Sequence, residues 1–582
     1  MGNYSFGKLE LDPARNPAVL DTTTWDRDSA ISLVFQEEDR FWHRLPGLAG
    51  KNQESPVSGK HLKVYPSSHA PDQGSDVFLA SLPDGQDIFV RIGPMQGSSK
   101  LGYPMATKPL SGGQTLSLYP TDMEVLAVYL RELNPEKAPQ ALGSTPRLGI
   151  GDRHSVLVWP AALRAMEQGR FAANAIQNSL RELNLLDDLK EGKAPKENYL
   201  FSFGTIAEGH TGSTFEGLLH AGILAVLKDP TFPRYGADAD HIQVKRGPDG
   251  LDRAKKVMWA ARHYTFFTLD VSDILGYSAL LDPASGMGKE YLSREIPQEE
   301  QRRDILLYHR RIRNIGGRRY AFSEEEIGRF VGKYWKALAA LEELCAHMKS
   351  LKGQTPFDLE LSIDENPPEV STCNCITRPE EVVFLATEIE RRQLPVTHLA
   401  PNFGVEKSTD YRCPDGLAGL EKRVRVISEI ATHYNLMLDC HSGDDLSKAT
   451  RKVFGRATRG RINFKISPML QLIFAETLYE KQRDLFLQWW QDVFHFVEAE
   501  AQKGSSFAKE CLQELVSDPT PHPAKKLFHY YCFVSVGRRD AQNRFVLRDR
   551  LYDVSPECLE EYTERLKSWF LEIAEDLYGG NV

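Results

Sequence analysis

From residue 147 onward the sequence alternates between an apolar run of strand length and an amphipathic helical stretch, and few architectures accept that pattern. The strand-like runs read RLGIGD (147–152), NYLFSFGT (198–205), YGADADHI (235–242), YTFFTLDV (264–271), FDLELSID (357–364), VTHLAPNF (396–403), NLMLDCHS (435–442) and RINFKISP (461–468). Between them lie helical patterns such as FAANAIQNSLRELN, FEGLLHAGILAVL, RAKKVMWAARH, EEVVFLATEIERR and EKRVRVISEIATHY. Continuous apolar strands separated by helices belong to α/β proteins whose parallel sheet is covered by helices. Eight such units in succession favour closure into a (β/α)8 barrel of the TIM type over an open sheet. The dinucleotide-binding open sheet competes, but no G-x-G-x-x-G follows any of these runs.

The flanks have a different texture. Residues 1–145 carry short β-like runs, HLKVY (61–65), DVFLASL (76–82) and DIFVRIG (87–93), with a Pro83-Asp84-Gly85 turn between the last two. They read as an N-terminal β-rich domain built around a hairpin, bounded by Gly-, Pro- and Ser-rich loops. The barrel is expected over 146–500, with an insertion at 272–320 that ends in HRRIRNIGGRRY. Its Gly316-Gly317 pair and arginine-rich flank suit a lid over the site. Residues 501–582 read as a C-terminal helical and hairpin extension, with YYCFVSVG and RFVLRDRLYDV paired around 538–543.

Composition excludes several function classes. The 582 residues are 41% hydrophobic and 26% charged, and the net charge of −9 has no basic face to meet a nucleic acid. No apolar run approaches the roughly 20 residues that span a bilayer. The N-terminal MGNYSFGKLE has no apolar core of a signal peptide, so a cytoplasmic address is expected. Eight cysteines are scattered without a framework spacing, and Cys373-Asn-Cys375 reads as an ordinary loop rather than half of a metal site. Reduced thiols are the corresponding expectation.

Ionisable residues gather at the C-terminal ends of the strand-like runs, the face where barrel enzymes build their sites. They are Asp152 and Arg153 after the first run, His210 beyond the second, Asp240 and His241 in the third, and Asp270 in the fourth. Asp364 and Glu365 end the fifth, His398 lies in the sixth, His441 and Asp444 close the seventh, and Lys465 lies in the eighth. So many charges at one rim are costly unless they bind a metal, pair, or do chemistry. His241 and His441 each follow an aspartate in a strand-end run, the combination of neutral imidazole and oxygen donors that a divalent ion takes. His210 and His398 read either as site residues or as satisfied core histidines. Lys465 is either a partner for the carboxylates or a clamp on substrate oxygens.

Longer motifs carry a resemblance. Gly149-Ile150-Gly151-Asp152-Arg153, Gly209-His210-Thr211-Gly212 with Glu216-Gly217-Leu218-Leu219, and Gly236-Ala237-Asp238-Ala239-Asp240-His241 resemble the tagaturonate/fructuronate epimerases. So do Ser362-Ile363-Asp364-Glu365, Leu399-Ala400-Pro401-Asn402-Phe403 and His441-Ser442-Gly443-Asp444, in the same order across residues 147–470. The resemblance implies a metal-dependent isomerase that interconverts two ketohexuronates, with a zinc, manganese or nickel ion as cofactor. It implies His241 and His441 as metal ligands with His398 as a third, and Asp240 and Glu365 as the acid/base pair. Asp152, Arg153, His210, Asp364, Asp444 and Lys465 are the corresponding substrate-binding candidates. The expected partner is a small sugar or sugar acid rather than a nucleic acid or a membrane; a homo-oligomer is left open. Two departures, His154-Ser155-Val156-Leu157 after Arg153 and Ile466-Ser467-Pro468 after Lys465, keep a neutral ketose in play as substrate.

The two ketohexuronates differ at a carbon β to the ketone, whose C–H is not acidified. Retro-aldol cleavage, rotation of the aldehyde and re-addition therefore fit better than proton abstraction. A metal-dependent aldolase or sugar isomerase on the same barrel is the alternative, and a non-catalytic scaffold is the third.

Overall fold

The computed structural model describes the chain apart from residues 1–3, 7–8, 12–25, 49–54, 95–97, 152, 194–195, 201–203, 282–283, 285, 367–369, 407–408, 541, 543 and 580–582. Its centre is a closed barrel of eight parallel strands. In chain order these are β1 (Arg147–Gly151), β2 (Ala172–Asn178), β3 (Tyr235–Gln243), β4 (Phe266–Asp270), β5 (Asp358–Ser362), β6 (His398–Ala400), β7 (Met437–Cys440) and β8 (Ile462–Ile466). Each pairs with its sequence neighbour, and β8 closes onto β1 through the register Lys465↔Gly149. The close approach explains a glycine: a Cβ on Gly149 would lie 2.8 Å from the Lys465 side chain and 2.4 Å from that of Gln177.

Seven of the eight strand-like runs supply barrel strands. The second does not. The ends of NYLFSFGT instead pair with each other as an antiparallel hairpin, Glu197–Leu200 with Gly204–Ala207, outside the barrel. The true β2 lies in the stretch read as helical, FAANAIQNSLRELN. Every residue of Ala172–Asn178 is buried, so this strand shows no period-2 alternation, and its alanines read as helix formers.

The N-terminal part forms a six-stranded antiparallel sheet over Val57–Tyr119. Phe78, Ile88 and Val90 face a small core with Val34, Phe41 and Trp42 of the preceding helices. The alternate residues Val77, Leu79 and Phe89 belong to the main core. The sheet is thus buried on both faces, one of them toward the barrel helix Phe215–Lys228, where Lys228 Nζ lies 2.8 Å from Asp87.

Three further expectations are corrected. The tip of the 272–320 insertion is a short hairpin, Arg313–Ile315 with Arg318–Tyr320, that docks on the outer helix Gly416–His433. Gly316 abuts Glu429, and Arg318 holds the same carboxylate at 2.6 Å, so this tip is not a lid. The predicted C-terminal hairpin is largely a helix, Lys526–Ser535, with a single bridge between Arg539 and Phe545. Leu527, Phe528, Tyr531, Cys532, Val534 and Ser535 are buried at helical spacing, which the apolar string YYCFVSVG conceals. Finally, the thiols are not all reduced: Cys373 and Cys413 form a disulfide, while the six other cysteines are free and buried. The pair lies 40 residues apart and meets only because strands β5 and β6 are neighbours in the barrel. Among the described residues no helix is long and apolar enough to cross a membrane.

Candidate active site

The C-terminal ends of the strands open into a cavity of about 1130 Å³. Strand β3 feeds it through a local irregularity. Strand alternation would send Asp240 and His241 to opposite faces. The register against β4 shifts between Ala239 and Ile242, and His241 takes a positive φ of 45°. This bulge aims both side chains into the cavity, at a backbone cost of the kind that collects at functional sites. Ser442, directly after His441, is also left-handed at φ 55° and turns the chain away from the end of β7.

At the cavity floor, Lys465 of β8 is 4% exposed and holds Asp240 at 2.8 Å, Glu360 at 2.8 Å and Asp238 at 3.1 Å, with the Thr268 hydroxyl at 2.6 Å. Burial favours neutral groups here, but the carboxylates hold Lys465 charged, with its pKa well above the ordinary range. Burial would also raise Asp240, yet Lys465, His241 and His441 hold it well below the usual carboxylate range. Asp238 goes the other way: burial pushes it up to about 7 despite the pull of Lys465. Lys465 is thus a partner of carboxylates, and it lines the cavity beside Asp240.

At the rim His441 sits between two acids, with Nε2 2.7 Å from Glu360 and Nδ1 3.0 Å from Asp364. Burial opposes its charge, but Asp364 and Glu360 raise it well above the ordinary histidine range. His241 lies 3.4 Å from Asp270 and is raised in the same sense, chiefly by Asp240 acting against burial. The two imidazole rings are 4.8 Å apart. Two groups have donor atoms within 4.8 Å of one another: Asp240, His241 and His441, and His241, Asp270 and Glu365. Carboxylates here outnumber the permanent cations Lys465 and Arg181. A divalent ion, taking the place of protons on the two imidazoles, fits the chemistry of this donor set.

The structure does not bring His398 to this set. It is fully buried beside Phe266, at a ring separation of 4.8 Å, with Nδ1 2.8 Å from the Thr397 hydroxyl. Burial, with the charge of Arg147 beneath it, pushes its pKa well down. Glu365 lines the cavity and is held at 2.7 Å by Arg181. Asp364 accepts a 2.7 Å bond from Ser362. His210 donates from Nδ1 to the Arg181 carbonyl at 2.7 Å; burial brings its pKa down to about 4, leaving a neutral imidazole at the cavity wall. Arg153 bonds Glu182 at 3.0 Å and Ser467 at 2.7 Å and lies 5.0 Å over the Phe533 ring. Asp444 belongs to the short helix Gly443–Asp445; its side chain and the whole of Asp152 lie outside the described residues.

Sequence reading missed two groups of cavity residues. Gln177 and Asn178 end β2 and Arg181 and Glu182 follow it, and they were hidden when that strand was placed 26 residues too late. Phe507, Tyr530 and Phe533 come from the C-terminal helices Ser506–Ser517 and Lys526–Ser535 and form an aromatic wall.

A family model described as UxaE, tagaturonate epimerase, matches residues 206–575. A Thermotoga maritima protein named tagaturonate/fructuronate epimerase is 25% identical over 434 residues, 74% of this chain and 78% of its own. The glycerol-complexed structure of a fructuronate-tagaturonate epimerase from Cohnella laeviribosi superposes with a TM-score of 0.65, covering 89% of this chain and 96% of that one at 21% identity. The native form gives 0.63 over 92% and 98%. The structural likeness shows the shared fold, and the family match spans well over half the sequence: the chain belongs to the tagaturonate epimerase family of isomerases.

Proposed function

We propose that this chain is a metal-dependent ketohexuronate epimerase that interconverts tagaturonate and fructuronate by retro-aldol cleavage and re-addition. The observation that carries the reading is the convergence of His241 and His441 with Asp240, and of His241 with Asp270 and Glu365, on one cavity. His241 and His441 would hold the ion, with a carboxylate in place of the expected His398. When bound, the ion supplies a Lewis acid for the ketone and its neighbouring hydroxyl.

The chain's own residues do the rest. Asp240, kept anionic by Lys465, takes the proton of the hydroxyl β to the ketone. As the C3–C4 bond breaks, its electron pair passes into the three-carbon ketone fragment as an enediolate, and C4 becomes an aldehyde. The aldehyde turns its other face, the enediolate carbon attacks it, and the new alkoxide takes a proton back. Glu365, oriented by Arg181, is the second member of the acid/base pair. Arg153 and the neutral His210 line the cavity and would offer a polyhydroxy carboxylate donors and an acceptor. Asp364 steadies His441. A sugar-acid isomerase of this kind works on cytoplasmic metabolites.

Deuterium at C4 decides the mechanism. The C4–H bond is never broken, so the label is expected to remain in the product epimer through many turnovers in light water. Washout at the rate of epimerisation would establish deprotonation and overturn the retro-aldol route.

A further inference from the structure

Two loops on the cavity rim are fastened by a bond that the chemistry above does not use. The loop after β5 carries Asp364 and Glu365 at its start and Asn366 and Thr372 farther on; the loop after β6 carries Asn402, Phe403, Glu406 and Arg412. Near the barrel they are tied by backbone and side chain: Thr377 N donates to Asn402 O at 2.9 Å, and Asn402 N to Thr377 Oγ1 at 3.0 Å. Farther out they are joined by the Cys373–Cys413 disulfide, with Cα atoms 5.5 Å apart. Cys413 is 5% exposed and packs against Gly404, whose positive φ of 86° turns the second loop outward. Cys373 is the more exposed of the two. Immediately beside Cys413, Arg412 lines the cavity and pairs with Glu406.

We infer that Cys373–Cys413 is a redox-controlled fastener: oxidised, it restrains Arg412 and its partner Glu406 at the rim of the substrate cavity, and dithiol reductants relax them. The bond links the two loops beyond their last described hydrogen bonds to each other, so cleavage leaves the Thr377–Asn402 tie intact. The second loop also stays anchored where Asp410 accepts from Ser447 and Thr450 and Tyr411 accepts from Arg423; what loosens is the restraint beside Arg412 and its partner Glu406. In reducing compartments disulfides that do form are commonly transient and regulatory, which fits one placed at a substrate rim rather than in a core. The exchange balances: a thiolate of the reductant attacks the Cys373 sulfur, and the Cys413 sulfur leaves as a thiolate and takes a proton. The second thiol of the reductant then attacks the mixed disulfide and frees the Cys373 thiol. The products are two protein thiols and one reductant disulfide, and a small-molecule disulfide reverses the reaction.

The test uses the full-length, metal-loaded protein, with the divalent ion in excess so that the reductant does not strip the site. Alkylation after denaturation, followed by intact mass, is expected to count six thiols before treatment with dithiothreitol and eight after treatment of the native protein. Reduction is expected to raise KM for the ketohexuronate roughly threefold to tenfold, the scale of reordering a few side chains on binding. Amide exchange is expected to speed up at Glu406, Arg412 and Cys413 but not in β6. Oxidised glutathione restores both. The Cys373→Ser/Cys413→Ser double variant behaves like the reduced protein and ignores reductant, which excludes action through the metal or another thiol. Eight thiols at the outset, a bond that resists reduction in the native state, or reduction that leaves exchange and KM unchanged would each overturn the proposal. Thiol counts and exchange need no substrate, so they stand apart from the proposed reaction.

Discussion

The two ends of the barrel bury charge in opposite ways. At the N-terminal end Arg147 meets Asp358 at 2.9 Å, and the same carboxylate accepts from the backbone N–H groups of Leu142 and Gly143. Arg147 also donates to the Thr145 carbonyl, and its own carbonyl accepts from Tyr578. One cation faces one anion, with backbone groups satisfying what remains. At the C-terminal end Asp240, Asp270, Asp364 and Glu365 crowd around His241, His441 and Arg181, above a floor where Lys465 is shared among three acids. A buried pair that closes on itself is a plug; a buried cluster with surplus negative charge is prepared for something that brings positive charge.

The sharpest way to break that contrast is to remove a rim imidazole. His241→Ala and His441→Ala are each expected to lose the divalent ion, measured as metal per protein after dialysis. Activity is expected to fall by about 10³-fold or more, because several kcal/mol of charge stabilisation go with the ion. A variant that keeps both metal and turnover would make the rim another plug.

At the opposite end the expected effect is on stability. Arg147→Met leaves Asp358 buried without its cation and is expected to cost about 3–5 kcal/mol, read as a fall in the unfolding midpoint. Adding Asp358→Asn is expected to recover part of that loss, since the amide oxygen still accepts from Leu142 and Gly143 while the unpaired buried charge is gone. Metal content and kcat of the folded protein stay as they were. A fall in kcat without loss of stability would show that the plug reaches the chemistry after all.

The same contrast explains which parts of the molecule were legible in the sequence. Strands such as Phe266–Asp270 and Ile462–Ile466 announce themselves because they are apolar with a polar strand end. The rim histidines were visible because each follows an aspartate. Strand β2 was not, since AANAIQN is built of alanine and amide side chains with one branched residue, Ile176, and with it went Arg181 and Glu182. The bulge that turns His241 inward leaves no mark in the letters DADHI; only the resemblance hinted at it. His398 failed as a ligand for a geometric reason. Register pairs it with Glu360 and Met437, deep in the barrel, and a histidine in a strand declares neither its depth nor its layer. The disulfide and the aromatic wall depend on contacts across 40 residues or more and on the closure of the barrel itself.

Arg181 gives the smallest and most discriminating test, because it is a permanent cation of the rim and pairs with Glu365, a proposed acid. Its guanidinium holds Glu365 at 2.7 Å, and the Glu365 carbonyl is fixed separately by the Tyr277 hydroxyl at 2.6 Å. Arg181→Lys keeps a charge but loses the planar fork that sets the direction of the carboxylate. If Arg181 works by orienting Glu365, kcat is expected to fall roughly tenfold, about 1.4 kcal/mol, with KM little changed. If instead its other N–H groups bind the carboxylate of the sugar acid, KM rises and kcat holds. A double-mutant cycle separates the two: in a Glu365→Gln background the Arg181→Lys change loses its effect on kcat when the residues act as a unit, and keeps it when they act independently. Additive losses would remove Arg181 from the acid/base arrangement and leave Glu365 held by its backbone alone.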